Sequence, residues 1–172
     1  MLNGKLFLAS ISLFCISLLG VSASAAEDAH CYTLASLNGT YGAIGNYGDH
    51  TAMALATRHF DGAGNLTGNF LLNEPTQGST TGARTIITGT QVGTYTINCD
   101  GTGVFTRVIT ASNGLKTTQQ DDFVITKAVR KGDQLIATTI EDMQRTPSAI
   151  VPGGIFLTRH YTRRPDRDSD DN

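Results

Sequence analysis

Apolar and polar residues alternate in short runs along most of the chain, which is the pattern of strands that bury one face. Thr, Val, Ile, Tyr and Phe recur in these runs, and clusters of Gly, Asn and Asp separate them. Beyond the N-terminal region, no segment has the periodicity of an amphipathic helix. The pattern predicts strands at Gly39–Asn46, Thr51–Phe60, Asn65–Leu72, Arg84–Thr88, Val92–Asn98, Gly103–Ala111, Asp122–Arg130, Gln134–Asp142 and Gly154–Tyr161.

Glycine-containing turns join these runs. The pairs at 61–62, 100–101 and 113–114 are Asp-Gly or Asn-Gly, whose residues accept the positive φ that tight hairpins require. About eight short strands joined by hairpins form a meander, and closing a meander into a barrel removes its two exposed edges. We therefore predict an all-β fold with a single antiparallel barrel of about eight strands, and a two-sheet β-sandwich is the alternative.

Residues 1–25 have the order of a secretory signal peptide. Lys5 is the only charge before an apolar run from Leu6 to Leu19, and the small residues Ala23 to Ala26 follow it. The run is shorter than the roughly 20 residues of a spanning helix, and an uncleaved anchor is the alternative. We therefore expect an exported protein, periplasmic or secreted, with no transmembrane segment after cleavage.

Cleavage would leave one domain, residues 26–162, and a charged tail, residues 163–172. The tail lacks the apolar side chains that a folded segment needs, so we expect it to be disordered. Without Lys5 the chain has 12 basic and 15 acidic side chains and a net charge of −3. That balance provides no broad basic surface for nucleic acid. Oligomeric state cannot be read from these features.

Two cysteines remain after removal of the signal, Cys31 and Cys99. In an oxidising compartment an isolated pair predicts one disulfide, and two free thiols are the alternative. The bridge would close a loop of roughly 70 residues and stabilise the fold by about 4 kcal/mol on the chain-entropy account.

Three phrases carry a resemblance: "LNGTYGAIG", "HFDGAGNLTG" and "VGTYTINCDGTGVFT", within Leu37 to Val108. They resemble a group of small exported bacterial β-proteins of unknown function. The barrels of that group are similar to allene oxide cyclase and, more distantly, to the calycins. The resemblance implies a barrel and, by analogy, an apolar cavity. Plant cyclases of this fold act on an unsaturated fatty-acid epoxide, but the chain contains no catalytic motif to which that activity could be transferred.

Motifs of familiar enzymes are absent from the sequence. There is no Gly-x-Ser-x-Gly elbow and no phosphate-binding loop. The four histidines, His30, His50, His59 and His160, lack the spacing of metal ligands. We therefore assign no catalytic residue, no metal and no cofactor, and the sequence leans away from an enzyme.

Strand alternation places two arginines inside the predicted barrel. Side chains at alternate positions of a strand share a face, so an inward Phe60 brings Arg58 inward with it. The second Asp-Gly hairpin has the same arrangement, and there Arg107 shares the face of Phe105. Both guanidinium groups are therefore expected among apolar neighbours.

An interior guanidinium must be paired, and arginine grips a carboxylate with two parallel hydrogen bonds. Arg58 and Arg107 could therefore hold the head of an anionic, lipid-like ligand. One alternative is a structural ion pair with Asp122, Glu141 or Asp142. Another is a displacement of the alternation by one residue at a bulge, which would turn both arginines outward.

Two tyrosines, Tyr41 and Tyr95, occupy equivalent Gly-Thr-Tyr phrases. Each could donate its hydroxyl group to a ligand, although such a tyrosine more often packs its ring and bonds the backbone. Three functions stay open on the sequence. They are a barrel that binds a small apolar or carboxylate ligand, a ligand-free envelope or secreted interaction protein with a filled interior, and an isomerase or cyclase.

Overall fold

The computed structural model describes residues 31–49, 51–151 and 153–165. The predicted signal peptide lies outside the described residues, and so do His30, His50 and residues 166–172 of the predicted tail. Among the residues described, no helix is long and apolar enough to cross a membrane.

Eight antiparallel strands form one closed barrel in which each strand pairs with its neighbours in the chain. The barrel closes where the first strand pairs with the last, from the Tyr41–Arg163 pair to the Tyr47–Leu157 pair. The predicted single barrel of eight strands is therefore confirmed, and the sandwich alternative is wrong. The strands are β1 (Asn38–Tyr47), β2 (Ala52–Asp61), β3 (Asn65–Pro75), β4 (Arg84–Ile97), β5 (Thr102–Ala111), β6 (Lys116–Lys131), β7 (Gln134–Gln144) and β8 (Leu157–Arg163).

Strand β4 joins two segments that the sequence pattern separates at Gly89. A Cβ atom at this position would lie 2.5 Å from the ring of Phe70 and 2.5 Å from the carbonyl oxygen of Thr110. The glycine therefore permits close packing within a continuous strand and does not end it.

Two other strands begin three or more residues away from their predicted start. β6 begins at Lys116, six residues before the predicted start at Asp122. β8 begins at Leu157 and extends through Arg163, the first residue of the predicted tail.

Two apolar clusters fill the two ends of the barrel. The cluster at the base is largely aromatic, and the rings of Phe105 and Phe123 stack there with centroids 4.2 Å apart. The cluster at the mouth is mainly aliphatic and includes Leu72, Ile109 and Leu157.

The N-terminal segment closes the base. Cys31 and Cys99 form a disulfide, and the amide of Tyr32 donates to the carbonyl oxygen of Cys99 at 3.0 Å. The hydroxyl group of Tyr95 donates to the carbonyl oxygens of Leu34 and Leu37 at 2.8 and 2.9 Å. The segment is therefore attached to the barrel both covalently and by hydrogen bonds.

The loop between β7 and β8 covers the mouth. We call its described residues, 145–151 and 153–156, the mouth loop. Ile150 and Val151 are buried in the mouth cluster. Their amides donate to the hydroxyl oxygen of Ser148 at 3.1 Å each, which fixes the turn that points them inward.

Candidate functional site

A layer of charged and amide side chains separates the two apolar clusters. It contains three guanidinium groups and two carboxylates, so its net charge is +1. Burial of an uncompensated charge is unfavourable, which makes this layer the least expected part of the interior. We call it the arginine layer, and its buried members are Arg58, Arg107, Arg159, Asp121, Asp142, Gln91, Gln119 and Gln144.

Each arginine of the layer lies opposite a glycine on a neighbouring strand. The cross-strand pairs are Arg58 with Gly68, Arg107 with Gly93, and Arg159 with Gly45. A Cβ atom at Gly45 would lie 2.9 Å from Cγ of Arg159. One at Gly93 would lie 2.9 Å from Cα of Arg107 and 2.0 Å from a backbone oxygen. The glycines thus leave room for long side chains in a crowded interior.

Arg107 and Arg159 are fully engaged with the carboxylates. Nη2 of Arg107 donates to Oδ1 of Asp121 at 2.8 Å while its Nε donates to Oδ2. Nη2 of Arg159 lies 2.7 Å from Oδ1 of Asp121 and 2.8 Å from Oδ2 of Asp142. Burial alone would raise the pKa of Asp121, but the two guanidinium groups outweigh it and hold this pKa below its ordinary value.

Arg58 is the exception within the layer. Its Nη2 donates to Oε1 of Gln91 at 2.9 Å, and its Nη1 lies 3.8 Å from Oδ2 of Asp142. Neither its Nε nor its Nη1 has a hydrogen-bond acceptor. The guanidinium lies over the rings of Phe105 and Tyr161, 4.9 Å from each centroid.

The electrostatic surroundings of Arg58 disfavour its charge. Burial, together with the like charges of Arg107 and Arg159, lowers the pKa of Arg58 from 12.5 to about 10, although Tyr161 and Asp142 act in the opposite direction. Arg58 is therefore the cation of this layer whose charge is least balanced by nearby negative groups and hydrogen-bond acceptors.

A cavity of about 20 Å³ lies on the mouth side of the layer. That volume suits roughly one water molecule. Its polar wall includes Gln119, whose Nε2 has no hydrogen-bond acceptor. The unused donors of Arg58 and Gln119 therefore belong to side chains that line one small cavity. The lining residues are Tyr47, Ala54, Ala56, Arg58, Phe70, Gln91, Arg107, Ile109, Gln119, Ile150, Leu157 and Arg159.

The wall of this cavity combines cationic and amide side chains with apolar ones. Hydrogen-bond donors and excess positive charge face an apolar half, so a group with one negative charge and an alkyl portion would match both halves. The titratable groups in the lining are the three arginines and Tyr47, and burial raises the pKa of this tyrosine. None of these is suited to act as a general base near neutral pH.

The sequence places Arg58 and Arg107 correctly on the inward face. Tyr41 and Tyr95, the tyrosines of the two Gly-Thr-Tyr motifs, lie elsewhere, in the cluster at the base of the barrel. Tyr41 donates its hydroxyl to the carbonyl oxygen of Ala137 at 2.6 Å, and Tyr95 bonds the backbone of the N-terminal segment. The structure thus brings the two arginines to the cavity and does not bring the tyrosines there.

Of the three acids considered as ion-pair partners, Asp142 lies in the arginine layer. Asp122 instead bonds Arg145 on the outer wall at 2.7 Å, and Glu141 contacts His160 there. Asp121 shares the inward face of Phe123, and because β6 begins at Lys116 the strand includes this aspartate, which the sequence pattern left outside it.

Four further members of the layer were missed: Arg159, Gln91, Gln119 and Gln144. Arg159 shares a face with Leu157 and Tyr161 in a predicted strand, so the alternation alone could have found it. Gln91 fell between two predicted strands, and Gln119 preceded the predicted start of β6. Within the described residues, no group of three or more His, Cys, Asp or Glu is arranged to hold a metal ion.

Comparison with protein-family models, curated proteins and solved structures found no match in any of the three. The resemblance to allene oxide cyclase barrels therefore stays a prediction, and the site must be interpreted from its own chemistry.

Proposed function

We propose that this barrel binds a small amphiphile with a single negative charge, such as a medium-chain carboxylate. The head group would lie against Arg58, and the apolar portion would extend toward the mouth. One observation carries the proposal: Nε and Nη1 of Arg58 have no hydrogen-bond acceptor, and Arg58 belongs to a buried layer with a net charge of +1. One carboxylate would supply both the missing acceptors and the missing charge.

The head group has a place to bind, but the alkyl portion needs space that side chains now fill. The present cavity holds about 20 Å³, far less than the 300 Å³ or more of typical ligand sites. Ile150 and Val151 of the mouth loop fill the region above it. Together their side chains carry about seven carbon atoms, so an alkyl chain of similar length would replace them at interior packing density.

The attachments of the mouth loop are consistent with such a displacement. The loop is firmly attached at its first residue, since the amide of Arg145 donates to the carbonyl oxygen of Gln120 at 3.0 Å and its guanidinium bonds Asp122. Beyond Arg145, the described part of the loop joins the barrel through few hydrogen bonds. Gly48 donates its amide to the carbonyl oxygen of Phe156 at 3.3 Å, and Leu157 donates to Oε1 of Gln144 at 3.0 Å. Gln144 and Leu157 are the strand residues that flank the loop, and Nε2 of Gln144 donates to Oε1 of Gln119 at 2.7 Å, so the ends of the loop are linked to a residue of the cavity wall.

Isothermal titration with sodium hexanoate, octanoate and decanoate tests the proposal. We expect saturable binding that strengthens by about 0.8 kcal/mol, or roughly fourfold, for each methylene added from hexanoate to octanoate, with a smaller gain for decanoate because its chain exceeds the space of the two side chains. Octanol should bind at least about tenfold more weakly than octanoate, since it lacks the charge that Arg58 requires.

Two variants make the titration specific. Arg58→Met retains the length of the side chain and removes the charge, so octanoate binding should be lost. Lys116→Met removes an exposed charge at the start of β6 and should leave binding unchanged. Equal binding by wild type and Arg58→Met, or no saturable binding of any of the acids, would refute the proposal.

The small cavity favours one alternative, an interaction protein whose filled interior binds nothing. In that case the arginine layer is structural, and none of the three acids binds inside the barrel. The Cys31–Cys99 disulfide is compatible with the exported compartment that we propose for either function.

A further inference from the structure

A groove of about 740 Å³ opens on the outer wall beside the end of β8. It exists because β8 has only seven residues and its neighbours extend further. The first residue of β7 that pairs with β8 is Thr139, and the first residue of β1 that does so is Tyr41. Residues 134–138 of β7 therefore have β6 on one side and no strand on the other.

The groove has an apolar floor and a basic rim. Val129 and Ile136 contribute apolar surface, while Lys131, Arg163 and Arg164 contribute three positive charges. None of the described residues that line the groove carries a carboxylate. An exposed strand edge with a cationic border is suited to an extended segment that carries negative charge.

The chain itself leads into this groove. The amide of Arg164 donates to the carbonyl oxygen of Thr40 at 2.8 Å, and Pro165, the next residue, is part of the lining. Residues 166–172, which lie outside the described residues, include four aspartates and one arginine. Charge and position thus both match this segment to the groove.

We propose that residues 166–172 dock in the groove as an extended acidic segment along the open edge of β7. Seven extended residues reach roughly 23 Å, which exceeds the roughly 17 Å of the five-residue edge. Tethering at Pro165 gives the segment an effective concentration in the millimolar range, so weak contacts suffice. Docking would also cover an edge that could otherwise pair with another chain.

Amide chemical shifts of the full chain test the docking. We would compare wild type with a tail variant in which Asp166, Asp168, Asp170 and Asp171 are all changed to Asn. The amides of residues 131 and 134–138 should shift on neutralisation of the tail. When sodium chloride is raised to about 0.5 M, the chemical shifts of these amides in wild type should approach those of the tail variant, because salt screens exposed charges.

The same neutralisation is then repeated in two other backgrounds. In a background that carries Lys131→Gln and Arg164→Gln on the rim, neutralisation of the tail should change the chemical shifts of amides 134–138 at least threefold less than it does in wild type. With Lys116→Gln, which removes a charge outside the groove, the shifts should match those of the wild-type background. The shifts should also be independent of protein concentration.

Three results would overturn the docking proposal. One is that neutralisation of the tail changes chemical shifts only within residues 165–172. Another is that the chemical shifts of amides 134–138 change equally in the rim variant and in wild type. The third is a dependence on protein concentration, which would mean that the segment docks on a second copy. None of these outcomes bears on the interior site, because the groove lies on the outer wall.

Discussion

The replacement of Arg58 by methionine should change the free energy of unfolding very little, although Arg58 is fully buried. A pKa lowered from 12.5 to about 10 corresponds to about 3 kcal/mol against the charged side chain. Methionine relieves that penalty and retains much of the packing. It loses one hydrogen bond to Gln91 and the contacts with two rings, which together stabilise by about 2–4 kcal/mol. We therefore expect Arg58→Met to lie within about 1 kcal/mol of wild type.

Arg107→Met is the matched control, since it makes the same change in the same layer. This variant loses the bidentate contact with Asp121 and leaves that carboxylate with Arg159 as its remaining guanidinium partner. Breaking a buried pair in this way costs about 3–5 kcal/mol.

Urea unfolding of both variants at pH 7 measures the difference directly. Arg107→Met should be less stable than Arg58→Met by at least about 2 kcal/mol. A loss of about 3 kcal/mol or more in Arg58→Met would contradict this reasoning, because it would mean that Arg58 is well compensated in the empty barrel. Equal losses in the two variants would contradict it as well.

Three further outcomes follow from the fold. Gly93→Ala should lower the free energy of unfolding in urea by about 2–3 kcal/mol, because the added Cβ atom would meet a backbone oxygen. Gly42→Ala is the control, since its Cβ atom would have no atom within 4 Å, and it should stay within about 1 kcal/mol of wild type. Similar losses of stability in the two variants would contradict the packing account. The lowered pKa of Asp121 means that its carboxylate stabilises the fold above its ordinary value of 3.8 and that this contribution is lost as pH falls below it. The stability gap between wild type and Asp121→Asn should therefore narrow from pH 6 to pH 2.5, and a constant gap would refute the assignment. Removal of the disulfide by Cys31→Ser with Cys99→Ser should reduce the free energy of unfolding by about 4 kcal/mol, and a loss below about 1 kcal/mol would show that the N-terminal segment contributes little.

Local alternation was sufficient to predict the barrel and the inward position of two arginines. The periodicity that follows Phe60 and Phe105 is a property of single strands, and no bulge interrupts either segment. The predicted break in β4 at Gly89 was wrong, because a glycine that makes room for Phe70 cannot be distinguished in sequence from one that forms a turn.

Apart from the inward face of Arg159, which alternation within β8 indicates, the remainder of the site depends on features that no local pattern shows. Arg159 lies opposite Gly45 because β1 and β8 pair where the barrel closes. The two residues are 114 positions apart in the chain, so no local pattern predicts the pair. Asp121 shares the inward face of Phe123 and Ile125, but it belongs to the strand only because β6 begins at Lys116, which no local pattern showed. The burial of Ile150 and Val151 follows from the path of the mouth loop, which no periodic pattern describes.

The central claim is that the arginine layer is an anion site with Arg58 as its unsatisfied member. The most direct measurement is the crystal structure of the protein grown with 8-bromooctanoate, with the bromine located by anomalous scattering. We predict the carboxylate within hydrogen-bond distance of Nε or Nη1 of Arg58 and the bromine at the mouth, where Ile150 and Val151 now pack. A barrel that remains closed, with bromine only on its outer wall or nowhere in the crystal, would contradict the claim.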